Sequence, residues 1–301
     1  DSIIGKPMGI PKTGIFGLLD LVGIDLQPHV ESSMLATLPD EDMYRDIHRP
    51  SAFIEKMIAE GSTGRKGKGG FYRLNRAGGK KVKEALDLKT GEYHPANKSS
   101  LASVEAARAG LRALVEHPDR GGQYAWRVLS YTLSYAAALV PQIADHIHAV
   151  DEAMKNGYAW KWGPFELIDK LGPQWFAKKL AEQGMAVPPL LQQVGEGSFY
   201  QVENGKLQYF GTDGAYHNVD RADGVLLLAD IKRAGERIDG NRSASLWDIG
   251  DKVLCLEFHS KMNAIDEGIM AAASKALKII PAQGYRALVI HNEGTNFSAG
   301  A

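Results

Sequence analysis

The sequence predicts a mainly α-helical protein: two tandem helical units, each followed by a short β-hairpin, with the first β/α/β part of an α/β segment at the C-terminal end. Three observations predict it. A ten-residue segment occurs twice without a gap, GIFGLLDLVG (14–23) and GPFELIDKLG (163–172), at a shift of 149 positions, and self-similarity of this kind marks a repeated structural unit. Apolar residues keep helical spacing in long stretches such as 124–145. After residue 244 the pattern changes to strand, helix, strand, the opening of an α/β layer with a right-handed crossover.

In the repeat, Gly14, Phe16, Leu18, Asp20 and Gly23 match Gly163, Phe165, Leu167, Asp169 and Gly172. Ile15, Leu18, Leu19 and Val22 keep one-face spacing against Pro164, Leu167, Ile168 and Leu171, so each copy reads as a short helix buried along one stripe. Pro164 suits a first helical position and Gly172 a stop. Asp20 and Asp169 are expected to make a local hydrogen bond at the helix end. Phe53, Ile54, Met57 and Ile58 give a further helix that ends at Gly61.

The next stretch, GSTGRKGKGGFY (61–72), raises the question of a phosphate-binding loop. Such a loop places four residues between its first glycine and a Gly-Lys-Ser/Thr. Here Ser62 stands where the first glycine belongs and Gly69 where the hydroxyl belongs, so the spacing fails. No apolar strand leads in and no helix pattern follows, so a dinucleotide fingerprint fails as well. The expectation is a left-handed helix end and a basic turn, with a positive rim that attracts anions as its remaining functional use. GGFY (69–72) recurs as GSFY (197–200) at a shift of 128, and the roughly twenty-residue shortfall is expected near this turn.

LDLKTGEYHP (86–95) reads as a hairpin or turn, and 103–117 as one amphipathic helix closed by Pro118. Pro141 should kink or split the long helix of 124–145, since it removes a backbone donor. Asp145, His146, His148, Asp151 and Glu152 do not read as a metal site, because histidines two apart on a helix face different ways. Tyr158, Trp160 and Trp162 read as a packing plug between units. Asn204-Gly205 between alternating segments signals a hairpin. SLWDIGDKVLCLEFHS (245–260) gives two strands about a Gly-Asp turn, 263–282 a helix, and 286–294 a strand. The expected organisation is a first unit 1–98, a second unit 99–232, a linker 233–244 and an α/β beginning 245–301.

Charge is nearly balanced, 35 basic against 36 acidic residues in 301, which argues against nucleic acid or an acidic lipid surface as main partner. The single cysteine, Cys255, excludes an intramolecular disulfide, suits a reducing compartment, and sits in an apolar run as a small buried hydrophobe. The longest apolar runs are too short to span a bilayer. An opening Asp1, and no counterpart of the 124–145 helix ahead of Gly14, lead to the expectation of a piece cut from a longer protein.

GKPMGIPKTGIFGLLDLVGID (5–25) followed by KGKGGFYRL (66–74) resembles the C-terminal helical domain of 3-hydroxyacyl-CoA dehydrogenases, and DEAMKNGYAWKWGPFELIDKLG (151–172) resembles the same domain. KMNAID (261–266) and RALVIHNEGTNFSAGA (286–301) resemble the opening of an enoyl-CoA hydratase/isomerase (crotonase) domain. The order is similar to that of multifunctional fatty-acid β-oxidation proteins. The resemblance implies NAD-dependent oxidation of 3-hydroxyacyl-CoA to 3-oxoacyl-CoA, with hydratase activity, in the full-length chain. It implies acyl-CoA substrates, other domains of the same chain as partners, a homo-oligomer and a cytoplasmic location. NAD and the family's His–Glu pair would belong to a domain outside these residues, and no metal is implied. The backbone N–H of Ala301 would be one oxyanion donor, Ala299 would lie near the CoA adenine, and Lys261 would face a CoA phosphate or be a solvated surface lysine. His259 beside it has the same two readings. Trp126-Arg127 stands where the family has Asn-Arg, which implies a structural rather than substrate-contacting second copy. These 301 residues alone are expected to be inactive; a non-catalytic helical scaffold is the alternative.

Overall fold

The first helical copy begins with an apolar arm: Ile4 and Met8 are fully buried around a short turn at Lys6–Met8. In the computed structural model, which describes residues 1–76, 79–97, 101–294 and 296–301, four helices follow this arm. They are α1 (Gly14–Val22), α2 (Leu26–Thr37), α3 (Met43–Ile47) and α4 (Ala52–Ala59). Side chains cap two of them: Asp42 accepts from the Tyr44 amide and Ser51 from the Ile54 amide. Ile24, Ile54, Met57 and Phe71 form the core of this copy, with Phe16 and Leu19 against it. After α4 the loop 61–70 leads into an antiparallel meander of β1 (Tyr72–Asn75), β2 (Val82–Leu86) and β3 (Tyr93–Pro95), in that order. The hairpin expected over 86–95 is the β2–β3 connection. The expected unit boundary at 98/99 lies outside the described residues.

The stretch 103–117 is broken, not one helix. Its pieces are α5 (Ala102–Ala106), a short turn, and α6 (Leu111–Val115), separated by Gly110 at φ +135, a backbone conformation outside the helical well that glycine adopts readily. The long helix α7 (Arg120–Ala138) ends three residues before Pro141. Then come α8 (Ile147–Tyr158), α9 (Pro164–Leu171), α10 (Pro173–Glu182) and α11 (Pro189–Val194). Three of these start on proline at the first helical position, where the missing N–H has no intrahelical partner to lose. The apolar face of α9 packs on α7, and Phe165, Leu167, Ile168 and Leu171 are essentially inaccessible.

The copies differ in length for two reasons. Between α4 and Phe71 lie residues 60–70, whereas only residues 195–198 lie between α11 and Phe199. The larger share of the shortfall is elsewhere: α2 and α3 of the first copy are matched by the single helix α10 in the second. The expectation that the basic turn accounts for the difference is corrected accordingly.

Contacts divide the chain into two units, residues 1–199 and 200–301. The second holds another antiparallel meander, β4 (Tyr200–Glu203), β5 (Lys206–Phe210) and β6 (Tyr216–Asn218), whose first turn uses Asn204 and Gly205 at φ 50 and 75 as the hairpin signal requires. Helix α12 (Leu228–Ala234) precedes a four-stranded sheet in the order β10-β9-β8-β7. Its strands are β7 (Asp239–Gly240), β8 (Ala244–Asp248), β9 (Val253–Phe258) and β10 (Ala287–Ile290). Strands β9 and β10 are parallel, joined through α13 (Glu267–Gln283), and the other pairs are antiparallel. Leu246, Leu254, Leu256, Phe258, Ile269 and Ala276 form the core between sheet and α13. The stretch 233–244, read from sequence as a linker, contributes β7. Cys255 is buried, and burial pushes its thiol up to about 11.

Candidate functional site

The repeated aspartates do not bond locally. The Asp20 carboxylate accepts hydrogen bonds from the backbone amides of Phe71 and Tyr72, both at 2.8 Å and about fifty residues away. Asp169 accepts from the Phe199 amide at 2.6 Å. Each copy thus ties the last turn of its Gly-x-Phe helix to the start of its Gly-x-Phe-Tyr strand. The local reading is corrected; a buried strand start with no ladder partner on one side needs acceptors, and the carboxylate supplies them. Burial raises the pKa of Asp20, and the two amide bonds oppose the rise. Gly64, at φ +98, lies where a side chain would collide with the Asp20 backbone.

A second repeated pair was not singled out from sequence. Asp1 accepts from the amides of Phe16 and Gly17 at 2.9 and 3.1 Å, and Asp151 accepts from those of Phe165 and Glu166 at the same distances. Each carboxylate caps the helix of its own copy from a distance, satisfying orphan N–H groups. Gly14 and Gly163 make room: a Cβ on either would collide with the capping aspartate. Those two glycines at the head of the repeat were the available signal. With Asp151 so engaged and His146 accepting from the Ala149 amide as the cap of α8, the 144–152 cluster is helix-end chemistry. No group of three metal-ligating side chains forms among the described residues.

Around the Asp20 clamp lies a cleft of about 1040 Å³ in the first unit. The basic loop forms one wall, closed into a small hairpin by the Gly64–Gly69 bridge. Its amides are engaged internally: those of Gly64, Arg65, Gly67 and Lys68 donate to Gly69, Asp20, Gly64 and Gly61 carbonyls. Most of the loop's amides are thus committed within the protein, which leaves recognition of an anion there mainly to side chains. Lys66 pairs with Asp25 at 2.8 Å, Lys68 donates to the Glu60 carbonyl, and Arg73 pairs with Glu84 at 2.6 Å while stacking on Tyr93.

In the second unit, Lys261 is exposed at the start of a short turn, Lys261–Asn263, in which Met262 and Asn263 both have positive φ, 59 and 53. Such backbone costs on the order of 1–3 kcal/mol per residue and clusters at ligand sites. The turn is held by the Ala299 segment: the Ala299 amide donates to the Met262 carbonyl at 3.2 Å, and Ser298 Oγ to the Asn263 carbonyl at 2.7 Å. The Ile265 amide donates to the Gly300 carbonyl at 2.7 Å. Lys261 and Ala299, far apart in sequence, are thus brought onto neighbouring turns; Ala301 is exposed beside them. His259 meets Ser245 Oγ at 3.0 Å, and Thr295 lies outside the described residues.

Trp126 points into the helical core, donating to Gln183 Oε1 at 2.7 Å and packing edge-on against Trp175 and Phe176. Trp162 covers Gly9 of the first copy, where a Cβ would collide with its ring, and the adjacent Lys161 amide donates to the Gly9 carbonyl at 2.7 Å. A nicotinamide dinucleotide needs a glycine-rich turn between a strand and a helix. The parallel pair β9/β10 is the candidate among the described residues, and residues 259–266 after β9 contain no glycine. These residues do not fit NAD, and no step is routed through it.

A helix capped by a distant aspartate, and tied by a second aspartate to a Gly-x-Phe-Tyr strand, occurs twice; this defines a duplicated helical domain. The chain belongs to the 3-hydroxyacyl-CoA dehydrogenase C-terminal domain family, whose profile matches residues 1–74 and 122–210, one copy of the repeat in each stretch. It is 37% identical over its full length to a protein of Bacillus subtilis described as a probable 3-hydroxyacyl-CoA dehydrogenase, and covers 38% of that relative. It is 31% identical, again over its full length and over 38% of the relative, to a Rickettsia felis protein described as a fatty acid oxidation complex trifunctional enzyme. The chain therefore spans well under half the length of these curated relatives. Among the described residues no helix is long and apolar enough to cross a membrane.

Proposed function

We propose that this chain is the helical middle of a fatty-acid β-oxidation enzyme that oxidises 3-hydroxyacyl-CoA to 3-oxoacyl-CoA, with NAD as hydride acceptor. The observation that carries the reading is the doubled aspartate clamp lying within the two stretches that match the dehydrogenase family domain. The names of the relatives support the same pathway. In this reading NAD and the proton-accepting side chain come from another part of the full-length protein, and these 301 residues alone are inactive. The helical domain shapes the acyl-CoA site and joins the other domains; homo-oligomerisation and a cytoplasmic location belong to the same proposal.

Residues 245–301 are proposed as the start of an enoyl-CoA hydratase portion. Backbone donors that polarise a thioester carbonyl are worth several kcal/mol to the developing enolate. The Ala301 amide would be one such donor, with Ala299 near the adenine and Lys261 near a phosphate of CoA; the interlocked 261–265 and 298–300 turns support this placement. NADH formation from 3-hydroxybutyryl-CoA, measured at 340 nm, tests the main reading: the full-length protein should turn over and the 301-residue chain should not. Turnover by the 301-residue chain alone would overturn the assignment of its catalytic groups to another part of the protein. A full-length protein inert toward 3-hydroxyacyl-CoA of every length would overturn the dehydrogenase reading and leave the scaffold alternative.

A further inference from the structure

Asn292 is a polar side chain shut into the place where the chain leaves β10, only 8% exposed. A buried carboxamide is costly to keep unless both of its ends are satisfied. Here both are. Its Oδ1 accepts from the Phe258 amide at the end of β9, at 2.7 Å, and its Nδ2 donates to the Phe297 carbonyl at 2.5 Å. The first bond extends the joining of the two parallel strands beyond that of His291 N–H to Leu256 O. The second has no part in the sheet and reaches forward into the turn that leads to Ala301. The Phe258 and Phe297 rings lie 6.4 Å apart beside it.

Other bonds hold the same turn, but they tie it to the segment 261–265. Asn263 Nδ2 donates to the Asn296 carbonyl at 3.0 Å, beside the bonds made by Ser298, Ala299 and Ile265. Lys261, Met262 and Ile265 of that segment are exposed, so it is a partner at the surface. Asn292 instead anchors the turn to the buried end of the sheet.

We propose that Asn292 is a positioning residue for the Ala301 backbone donor, its carboxamide fixing the turn before Ala301 against the end of β9. This rests on the reading of residues 245–301 as the start of a hydratase portion. In hydration the hydroxyl of water bonds to the β-carbon and the Cα–Cβ π pair shifts charge onto the thioester oxygen. The charge then returns as Cα takes up a proton. A donor serves that oxygen within about 2.7–3.1 Å, so a turn free to drift loses rate rather than substrate binding.

Hydration of crotonyl-CoA by the full-length protein tests it, with oxidation of 3-hydroxybutyryl-CoA as the reference reaction. Asn292→Ala removes both bonds; Asn292→Asp keeps an acceptor for the Phe258 amide but turns a second acceptor toward the Phe297 carbonyl. Both variants should lose about tenfold to a hundredfold in hydratase kcat, as for a misplaced group, with KM changed less than about twofold. The reference reaction should be unchanged. In Asn292→Asp, peptides covering 296–301 should exchange amide hydrogens about tenfold faster, while those of β9 stay protected. Hydratase kcat within about twofold of wild type, or full kcat in Asn292→Asp, would overturn the assignment. So would equal losses in both reactions, which mark a residue needed only for folding. A wild-type protein that dehydrogenates but does not hydrate would overturn the hydratase reading itself, and the role of Asn292 with it.

Discussion

Asp20 shows what a single buried carboxylate does for this fold. Its removal would leave the Phe71 and Tyr72 amides without acceptors at the junction of helix and strand. Each unpaired buried donor costs about 1–3 kcal/mol, so Asp20→Ala should lower the urea-unfolding free energy by about 2–5 kcal/mol. Asp20→Asn should fall between, because one amide oxygen can still accept while its NH₂ faces a donor. A loss under about 1 kcal/mol for the alanine variant would mean that water replaces the carboxylate. Asp119 provides the pH dependence. It caps α7 by accepting from the Gly122 amide at 2.8 Å and also accepts from the Ser103 amide, and these bonds hold its pKa well below the usual carboxylate range. A depressed carboxylate contributes stability above its unfolded pKa of about 3.9 and loses it as pH falls further toward the folded value. Urea midpoints of wild type and Asp119→Asn should therefore differ at pH 7 and converge between about pH 4 and 2. A gap that is constant with pH would show that the carboxylate's charge contributes nothing to the cap.

At the scale of elements, the repeat separates what sequence could show from what it could not. The correspondence of α1 with α9, the hairpin turns at Asn204-Gly205 and within 86–95, and the strand–helix–strand ending were all legible, because periodicity and turn residues are local signals; the third strand of each meander was not. Burial was not. Leu167 is inaccessible because α7 packs over α9, and nothing within the ten-residue repeat marks which helix covers it. Leu167→Ala should accordingly cost about 2–5 kcal/mol by thermal or urea unfolding, in the range for a core leucine. A loss under about 1 kcal/mol would mean that α7 does not cover α9 in solution. The break at Gly110 was missed for a related reason: apolar spacing runs across it unbroken, and only the backbone shows that the glycine leaves the helix. The aspartates were visible as repeated letters, but their partners lie tens of residues away and carry no side-chain signal, since the donors are backbone amides.

Across the whole repeat, clamp and basic loop are separable, and a loop exchange tests this. The second copy reaches its clamped Phe199 through residues 195–198 alone, while the first uses residues 60–70 and places Arg65, Lys66 and Lys68 there. Replacing 60–70 by the Gly-Glu-Gly-Ser of 195–198 would remove backbone bonds to the rest of the copy that include Ile24 N–H to Thr63 O at 3.2 Å, Arg65 N–H to Asp20 O at 2.8 Å, Ser62 N–H to Met57 O at 2.8 Å and Gly70 N–H to Tyr72 O at 3.2 Å. At about 0.5–1.5 kcal/mol each, partly offset by about 0.6 kcal/mol for each halving of loop length, the net cost should be about 1–5 kcal/mol. That is comparable with the loss expected for Asp20→Ala. The second copy keeps its Asp169 clamp on Phe199 without such a loop, so the exchanged protein should remain folded, with the Phe71 and Tyr72 amides still protected from hydrogen exchange. Unfolding, or loss of that protection, would show that the loop is part of the clamp.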